Sequence, residues 1–446
     1  MDSMKLSGLE ITFWTCICAV AYNYVGYPLV LFALSVLSQA KSDFHFLLRR
    51  AGRRQSRPPE YVPRVAVLIS VYNEEPVILA KVKNTLELDY PEAQFEVFVG
   101  LDAPTDSTAE ILSRLRCGPL RVVHFPERQG KLKVLSSLAE QTQAEILVLT
   151  DANTTLERNC IRNLVRHFAN PLVGAVSGEE TRIPAPGTDP AAESLYWKYE
   201  SALKFLENRL NCTLGGNGSV LAVRRELFRP KKQSIIEDFQ IPLEIRLKGY
   251  RVVYDPEAIA IEEIAPTTHA QSARRVRIAA GDYQTLFANL GCLDPRKGLL
   301  AFCFFSHKVL RWITPWLLLT GFACSALMMQ QRGFAILFAA QSAFYLSAYL
   351  GYRRKKQGKP ASVLSAPLYF CMMNAALLLG FFRYLNGHQK LTWNPTLRGA
   401  QPDTTLHSML RKPAMSSRVS PNHSFGSTVA QDSNLHPSSP ENLRAL

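Results

Sequence analysis

The chain has 446 residues, 47% of them hydrophobic and 20% charged, and a formal net charge of +14. That length holds one large soluble domain with several membrane segments, and the apolar content excludes a mainly disordered chain. The Lys and Arg excess lies largely beside apolar segments, as on the cytoplasmic flanks of membrane helices, with no basic stripe interleaved with aromatics, so nucleic acid is not an expected partner. The nine cysteines are scattered and form neither a zinc spacing nor a disulfide framework, which suits a reducing compartment.

In chain order, residues 11–40 form an uncharged apolar stretch long enough to cross a bilayer, followed by Lys41, Arg49, Arg50, Arg53, Arg54 and Arg57. The positive cluster after the stretch places the following domain in the cytoplasm and argues against a cleaved signal peptide. Residues 1–57 therefore read as a transmembrane anchor with a basic linker. From 58 to 291, the short apolar runs VAVLISV, FEVFVGL, LRVVHF, EILVLT and VGAVSG alternate with helical patterns, which predicts a doubly wound α/β domain. In such sheets the ligand sits at the carboxyl ends of the strands.

Residues 292–398 read as an interfacial helix followed by about three membrane helices, near 312–329, 334–350 and 363–385. For residues 298–310, with His307 and Lys308, a plain extension of the next span is an equal alternative. Arg353, Arg354, Lys355, Lys356 and Lys359 mark a cytoplasmic loop, and counting alternate crossings from a cytoplasmic domain agrees. Asn374 and Arg383 leave open whether the last stretch spans or is partly re-entrant. Residues 399–446, rich in Ser, Pro, Asn and His, read as a disordered tail.

The residues that follow the apolar runs are the candidate site. Tyr72, Asn73 and Glu74 follow the first run, and Asp102 ends the second in GLDAPTDST, where Asp106 with Ser107 suits a helix cap. Asp151 and Asn153 follow EILVLT as DAN. Their oxygens suit Mg²⁺ or Mn²⁺, and a cap for the following helix is the alternative. Lys131 in RQGKLK could neutralise phosphate, with a solvated helix face as the alternative, which is the preferred reading for Lys133. Three glycines in GGNGS, Gly215 to Ser219, allow a close backbone approach to a ligand or make a tight turn before a strand. Glu237 and Asp238 open a helical pattern. The helix dipole alone favours them there, and a carboxylate facing a cleft could also deprotonate an acceptor hydroxyl.

The ordered set SVYNEE, LDAPTD, GK, TDAN, GGNGS and IED resembles the family 2 glycosyltransferases, in the membrane-bound branch with cellulose, hyaluronan, chitin and exopolysaccharide synthases. The resemblance covers roughly residues 65–281 and the flanking membrane helices. It implies an α/β fold of the GT-A type, a nucleotide-diphospho-sugar transferase domain with flanking transmembrane helices, in a multi-pass protein of the cytoplasmic membrane. It implies inverting transfer from a nucleotide sugar, usually a UDP-sugar, to a polysaccharide or lipid-linked acceptor. Membrane lipid and other polysaccharide-assembly proteins are further candidate partners.

By the same resemblance, Asp102 contacts the uridine, with Tyr72 and Glu74 beside the base and ribose. Asp151 and Asn153 match the metal motif, Lys131 lies near the donor, and Asp238 is the general base. Processive members carry QxxRW where this chain has QSARR, Gln271 to Arg275, so Arg275 stands in place of the Trp and leaves processivity open. Arg274, Arg275 and Arg277 have two readings, the donor diphosphate or anionic lipid headgroups. The segment WNPTLR, 393–398, looks like the stretch after the last membrane helix in exopolysaccharide-type members. Competing classes are a catalytically silent nucleotide-binding subunit that scaffolds a secretion assembly, and a transporter subunit, for which the spans offer few ionisable groups.

Overall fold

The computed structural model describes residues 7–49, 61–115, 118–183, 191–230, 236–263, 268–359 and 362–387. The basic linker from Arg50 onward, WNPTLR and the tail from 399 lie outside the described residues. Eight strands form one sheet among those described: β1 (Val65–Val71), β2 (Phe95–Asp102), β3 (Leu120–Phe125), β4 (Ile146–Asp151), β5 (Thr154–Leu156), β6 (Val173–Ile183), β7 (Leu221–Arg224) and β8 (Arg251–Glu263). Their order is β3-β2-β1-β4-β7-β6-β8-β5. The first four strands are mutually parallel, β7 runs antiparallel to both β4 and β6, and β5 runs antiparallel to β8. The sheet is therefore mixed rather than wholly parallel, with all five apolar runs of the sequence in it.

β1 is buried along its whole length because both its neighbours are parallel strands and helices cover both faces. On one face Val65, Val67 and Ile69 pack with Ile78, Val82 and Leu164. On the other, Ala66 and Leu68 pack with Leu135, Leu138 and Ile241. A third core joins the domain to the apolar helices, through Leu203, Phe239, Leu243 and Tyr283 against Tyr27, Phe304, Trp312 and Leu377.

Among the described residues, four helices are long and apolar enough to cross a membrane: Gly8–Phe44, Leu299–Leu327, Arg332–Lys356 and Ser365–Leu385. Each overlaps one of the apolar stretches of the sequence. Residues 299–310 do not form a separate element. They continue into the next helix through a π-helical turn at Phe304–Val309. That turn presents His307 to the domain. Its Nδ1 lies 2.6 Å from Glu207 Oε1 and its Nε2 lies 3.3 Å from Glu200 Oε2, both on the helix Ala191–Arg209. Tyr27 donates to Glu207 Oε1 at 2.7 Å, and Arg311 pairs with Glu200. Two carboxylates buried this deeply persist because each is paired with a cation or a hydrogen-bond donor. The network locks the helix Ala191–Arg209 to the apolar helices.

The helix Ser365–Leu385 docks on the helix Thr268–Ala288 through small residues. A Cβ on Gly380 would stand 2.5 Å from the Ala279 Cβ and 2.9 Å from the Ala280 amide nitrogen. Gly333, by contrast, has nothing within 4 Å of such a Cβ. Gly380→Ala is therefore expected to lower stability by about 1–3 kcal/mol through overpacking, and Gly333→Ala to leave it nearly unchanged. Thermal unfolding of the purified protein in detergent checks both.

Candidate active site

One edge of the sheet collects the candidate residues for a topological reason. β1, β2, β4, β6 and β8 all end at this edge, while β7 and β5 begin there. Tyr72, Asp102, Asp151, Asn153, the loop Gly215 to Ser219 and Glu262 therefore share it. The edge includes the point between β1 and β4 where chain order reverses, with Asp151 in register with Ser70.

The loop after β1 is tied to the loop after β2. Asn73 adopts a left-handed φ of 52°, a conformation that Asn tolerates. Its side chain exchanges two hydrogen bonds with Thr105, and the Glu74 amide donates to Thr108 Oγ1 at 3.0 Å. Asp106 accepts from the Thr108 and Glu75 amides, so it acts as a cap and cross-tie. The guanidinium of Arg128 lies 3.5 Å from the centre of the Tyr72 ring.

Asp102 is fully buried. Its Oδ1 accepts the Gln129 amide at 2.6 Å and its Oδ2 accepts the Gly130 amide at 2.9 Å. These bonds hold the turn that precedes the helix Lys131–Glu140, and Gly130 takes a φ of 89° that disfavours a side chain. The turn aims Lys131 inward. Its Nζ lies 2.6 Å from Asp151 Oδ1 and 2.5 Å from Glu237 Oε1. Burial alone would depress the Lys131 pKa, but Asp151 and Glu237 outweigh it and hold the amine above its ordinary value. Lys133 is exposed.

The other acid pair member is different. Glu237 and Asp238 open the helix Glu237–Leu247, where the dipole favours negative charge. Burial, then the adjacent Glu237 charge, raises the Asp238 pKa to about 6, against the pull of Lys131 and Lys204. The glycine loop packs directly on this helix start. The Gly216 amide donates to the Asp238 carbonyl at 2.8 Å, and a Cβ on Gly215 would stand 2.6 Å from the Phe239 ring. Asn217 fixes the loop by donating to the Gly178 carbonyl at 2.6 Å and by accepting from Lys204. Asp282 adds a second raised acid, pushed up to about 7 by burial, with Lys308 opposing and Asp238 adding to the shift.

Of the three arginines, Arg274 pairs with Glu262 at 3.0 Å, and Asn153 Nδ2 donates to the same Oε1 of Glu262 at 2.9 Å. Burial would raise the Glu262 pKa, but Arg274 and Arg182 reverse that and keep the carboxylate ionised. Arg275 lies over the Tyr369 ring, 4.5 Å from its centre, on the helix Ser365–Leu385. Arg277 is within electrostatic reach of Glu237, Asp151 and Asp238. The structure thus brings Asp102, Lys131, Asp151 and Asp238 into one chain of contacts, links Asn153 to Arg274 through Glu262, and turns Arg275 toward a membrane-type helix.

Residues 66–229 match the family model described as glycosyl transferase family 2. The chain carries a family 2 glycosyltransferase domain. A beta-monoglucosyldiacylglycerol synthase from Synechocystis is 27% identical over 268 residues, covering 57% of this chain and 55% of that protein. A poly-beta-1,6-N-acetyl-D-glucosamine synthase from Staphylococcus aureus is 23% identical over 235 residues, covering 50% and 55%. The chain spans about half the length of the curated relatives it matches. Among solved structures, a mannosyltransferase from Pyrobaculum calidifontis, in complex with GDP-mannose and Mn²⁺, superposes with a TM-score of 0.63 at 24% identity. That match covers 84% of this chain and 99% of the other. The likeness gives the fold of the glycosyltransferase domain as GT-A with flanking helices.

Sequence reasoning did not single out Arg128, Lys204 or Glu262. Glu262 stands at a strand end in AIAIEE and meets the same rule that selected Asp151, while Arg128 precedes GK by only a few residues. Asp102→Ala would leave the Gln129 and Gly130 amides without their acceptor, at a cost of about 1–3 kcal/mol per group. Hydrogen exchange is expected to accelerate by about tenfold or more over residues 126–131, with peptides from β1 unchanged.

Proposed function

We propose that this chain is an inverting glycosyltransferase of the cytoplasmic membrane, moving a sugar from a nucleotide-sugar donor, a UDP-sugar by resemblance, to a polysaccharide or lipid-linked acceptor. The observation that carries this reading is the placement of Lys131 between Asp151 and Glu237, beside an Asp238 whose proton affinity is raised. A cation between a strand-end acid and a helix-start acid suits a donor diphosphate, and an acid with a pKa of about 6 suits a base that works at neutral pH.

Asp238 takes the proton of the acceptor hydroxyl as that oxygen bonds to the anomeric carbon and the bond from that carbon to the nucleoside diphosphate breaks. Lys131 offers positive charge to the diphosphate. Asp102 holds the turn that aims Lys131, and Tyr72 with Glu74 and Arg128 borders the end of the cleft that takes the nucleoside. Arg274 acts through Glu262, and Arg277 feels the charges of Glu237, Asp151 and Asp238. Asp151 and Asn153 form an oxygen-only pair in which the amide nitrogen is committed to Glu262, leaving the amide oxygen available. Among the described residues, no group of three or more His, Cys, Asp or Glu is arranged to hold a metal ion by itself. The oxygen donors of the pair suit Mg²⁺ or Mn²⁺, and an ion held there would take its other ligands from phosphate and water. Such an ion, when bound, supplies a Lewis acid for the departing nucleoside diphosphate.

The membrane orientation rests on charge. Arg353, Arg354, Lys355 and Lys356 end the helix Arg332–Lys356, on the side where alternate crossings put the glycosyltransferase domain.

Membranes containing the protein are expected to release UDP from one member of a panel of UDP-sugars, with Mg²⁺ or Mn²⁺ but not with EDTA. Asp238→Asn is expected to lower kcat by about a hundredfold or more. Its folded-state pKa lies above the unfolded value, so ionising Asp238 opposes folding as pH rises through about 6. The Asn variant should thus unfold no earlier than the parent at pH 7. Activity has the opposite sign: kcat/KM should rise with pH through about 6 and level off above it. No release from any donor would favour a silent nucleotide-binding subunit instead.

A further inference from the structure

Beneath the turn that carries Asp151 and Asn153 lies a buried lysine to which the proposed mechanism gives no part. Lys81, on the helix Ile78–Leu86, is 3% exposed. Its Nζ donates to Thr150 Oγ1 at 2.9 Å and to the Thr154 carbonyl at 2.7 Å. These two residues bracket Asp151, Ala152 and Asn153. Three residues further along the same helix, Asn84 donates to the Leu156 carbonyl at 2.9 Å and accepts the Leu156 amide at 2.9 Å. Residues three apart share a helix face, so one face grips both the start and the end of the segment from Thr150 to Leu156.

An ammonium group is expensive to bury, and an apolar side chain of similar length would pack here at lower cost. Among the described residues, the Lys81 amine donates only to the two sides of this one turn. Burial pulls the Lys81 pKa down to about 7, with the Asp151 charge opposing the shift. A fold that needed only filled space at this position would not need an amine.

We infer that Lys81 is a positioning residue for the metal-binding pair: its side-chain amine clamps Thr150 to Thr154 and so sets the spacing of Asp151 and Asn153 before a donor arrives. The inference rests on the reading of Asp151 and Asn153 as that pair. Outer partners that orient metal ligands typically contribute about 10–100-fold to metal affinity.

The test uses the full chain in detergent or nanodiscs and reads Mn²⁺ binding in the presence of UDP by electron paramagnetic resonance, without turnover. Lys81→Met keeps the length and removes both hydrogen bonds. It is expected to weaken Mn²⁺ binding by about tenfold or more, with UDP binding in EDTA unchanged and thermal stability not reduced. A purely structural lysine would lower stability and leave Mn²⁺ affinity alone, and that outcome overturns the inference. Asp151→Asn separates the two levels of the argument. If it weakens Mn²⁺ binding and Lys81→Met does not, the clamp is wrong and the metal reading stands; if Asp151→Asn has no effect, both fall. Should Lys81→Met not fold, Thr150→Val removes one of the two acceptors and is judged by the same criteria.

Discussion

The ammonium of Lys131, held between Asp151 and Glu237, is the interaction on which the rest of this site depends. Asp151 and the adjacent pair Glu237 and Asp238 come from different parts of the chain and meet at one sheet edge. Without a cation among them their mutual repulsion and desolvation would force protonation or separation. Lys131 cannot be there by helix propensity alone. It is placed by a turn that Asp102 grips through two backbone amides and that Gly130 permits with its positive φ. A buried carboxylate at the end of β2 thus sets the electrostatics at the end of β4.

The same cation divides the acids into two kinds. Glu237 and Asp151 are in contact with it, whereas Asp238 feels burial and the Glu237 charge more strongly than the lysines. A carboxyl whose proton affinity is raised by burial, as that of Asp238 is, suits a base that works near neutral pH. The apolar helices reach this arrangement through packing. His307 and Arg311 lock the helix Ala191–Arg209 by its two glutamates. Lys204 on that helix holds Asn217, and the glycine loop around Asn217 rests on the start of the Asp238 helix. Membrane-type helices and candidate base therefore form one mechanical unit.

Much of the fold was legible because buried parallel strands read as near-continuous apolar runs, as β1, β2 and β4 do, while the edge strand β3 is only partly buried. β8 was not so legible, since Asp255, Pro256 and Glu257 interrupt its sequence and its pairing with β6 shifts register there. With β8 broken in this way, the short run AIAI was the one sign that Glu262 stands at a strand end, and the tie from Asn153 to Arg274 was invisible. The mixed direction of the sheet was hidden for a related reason: the apolar residues of β7 do not reveal which way the chain runs. Lys81 looks like any lysine of an amphipathic helix, because nothing local marks which lysine points inward. His307 stood out as a polar residue in an apolar stretch, but its partners Glu200 and Glu207 are a hundred residues away in sequence. The departure at Arg275 was plain from the letters, while its place over Tyr369 depends on how two helices pack.

The most direct measurement is incorporation of label from radiolabelled nucleotide sugars into membrane-extractable product, comparing the parent chain with Asp151→Asn and Lys131→Met. Metal-dependent incorporation from one donor, lost in both variants while the protein stays folded, is the expected result. Incorporation that persists in both variants, or product formed equally well in EDTA, would contradict a site organised around Lys131 and its two acids.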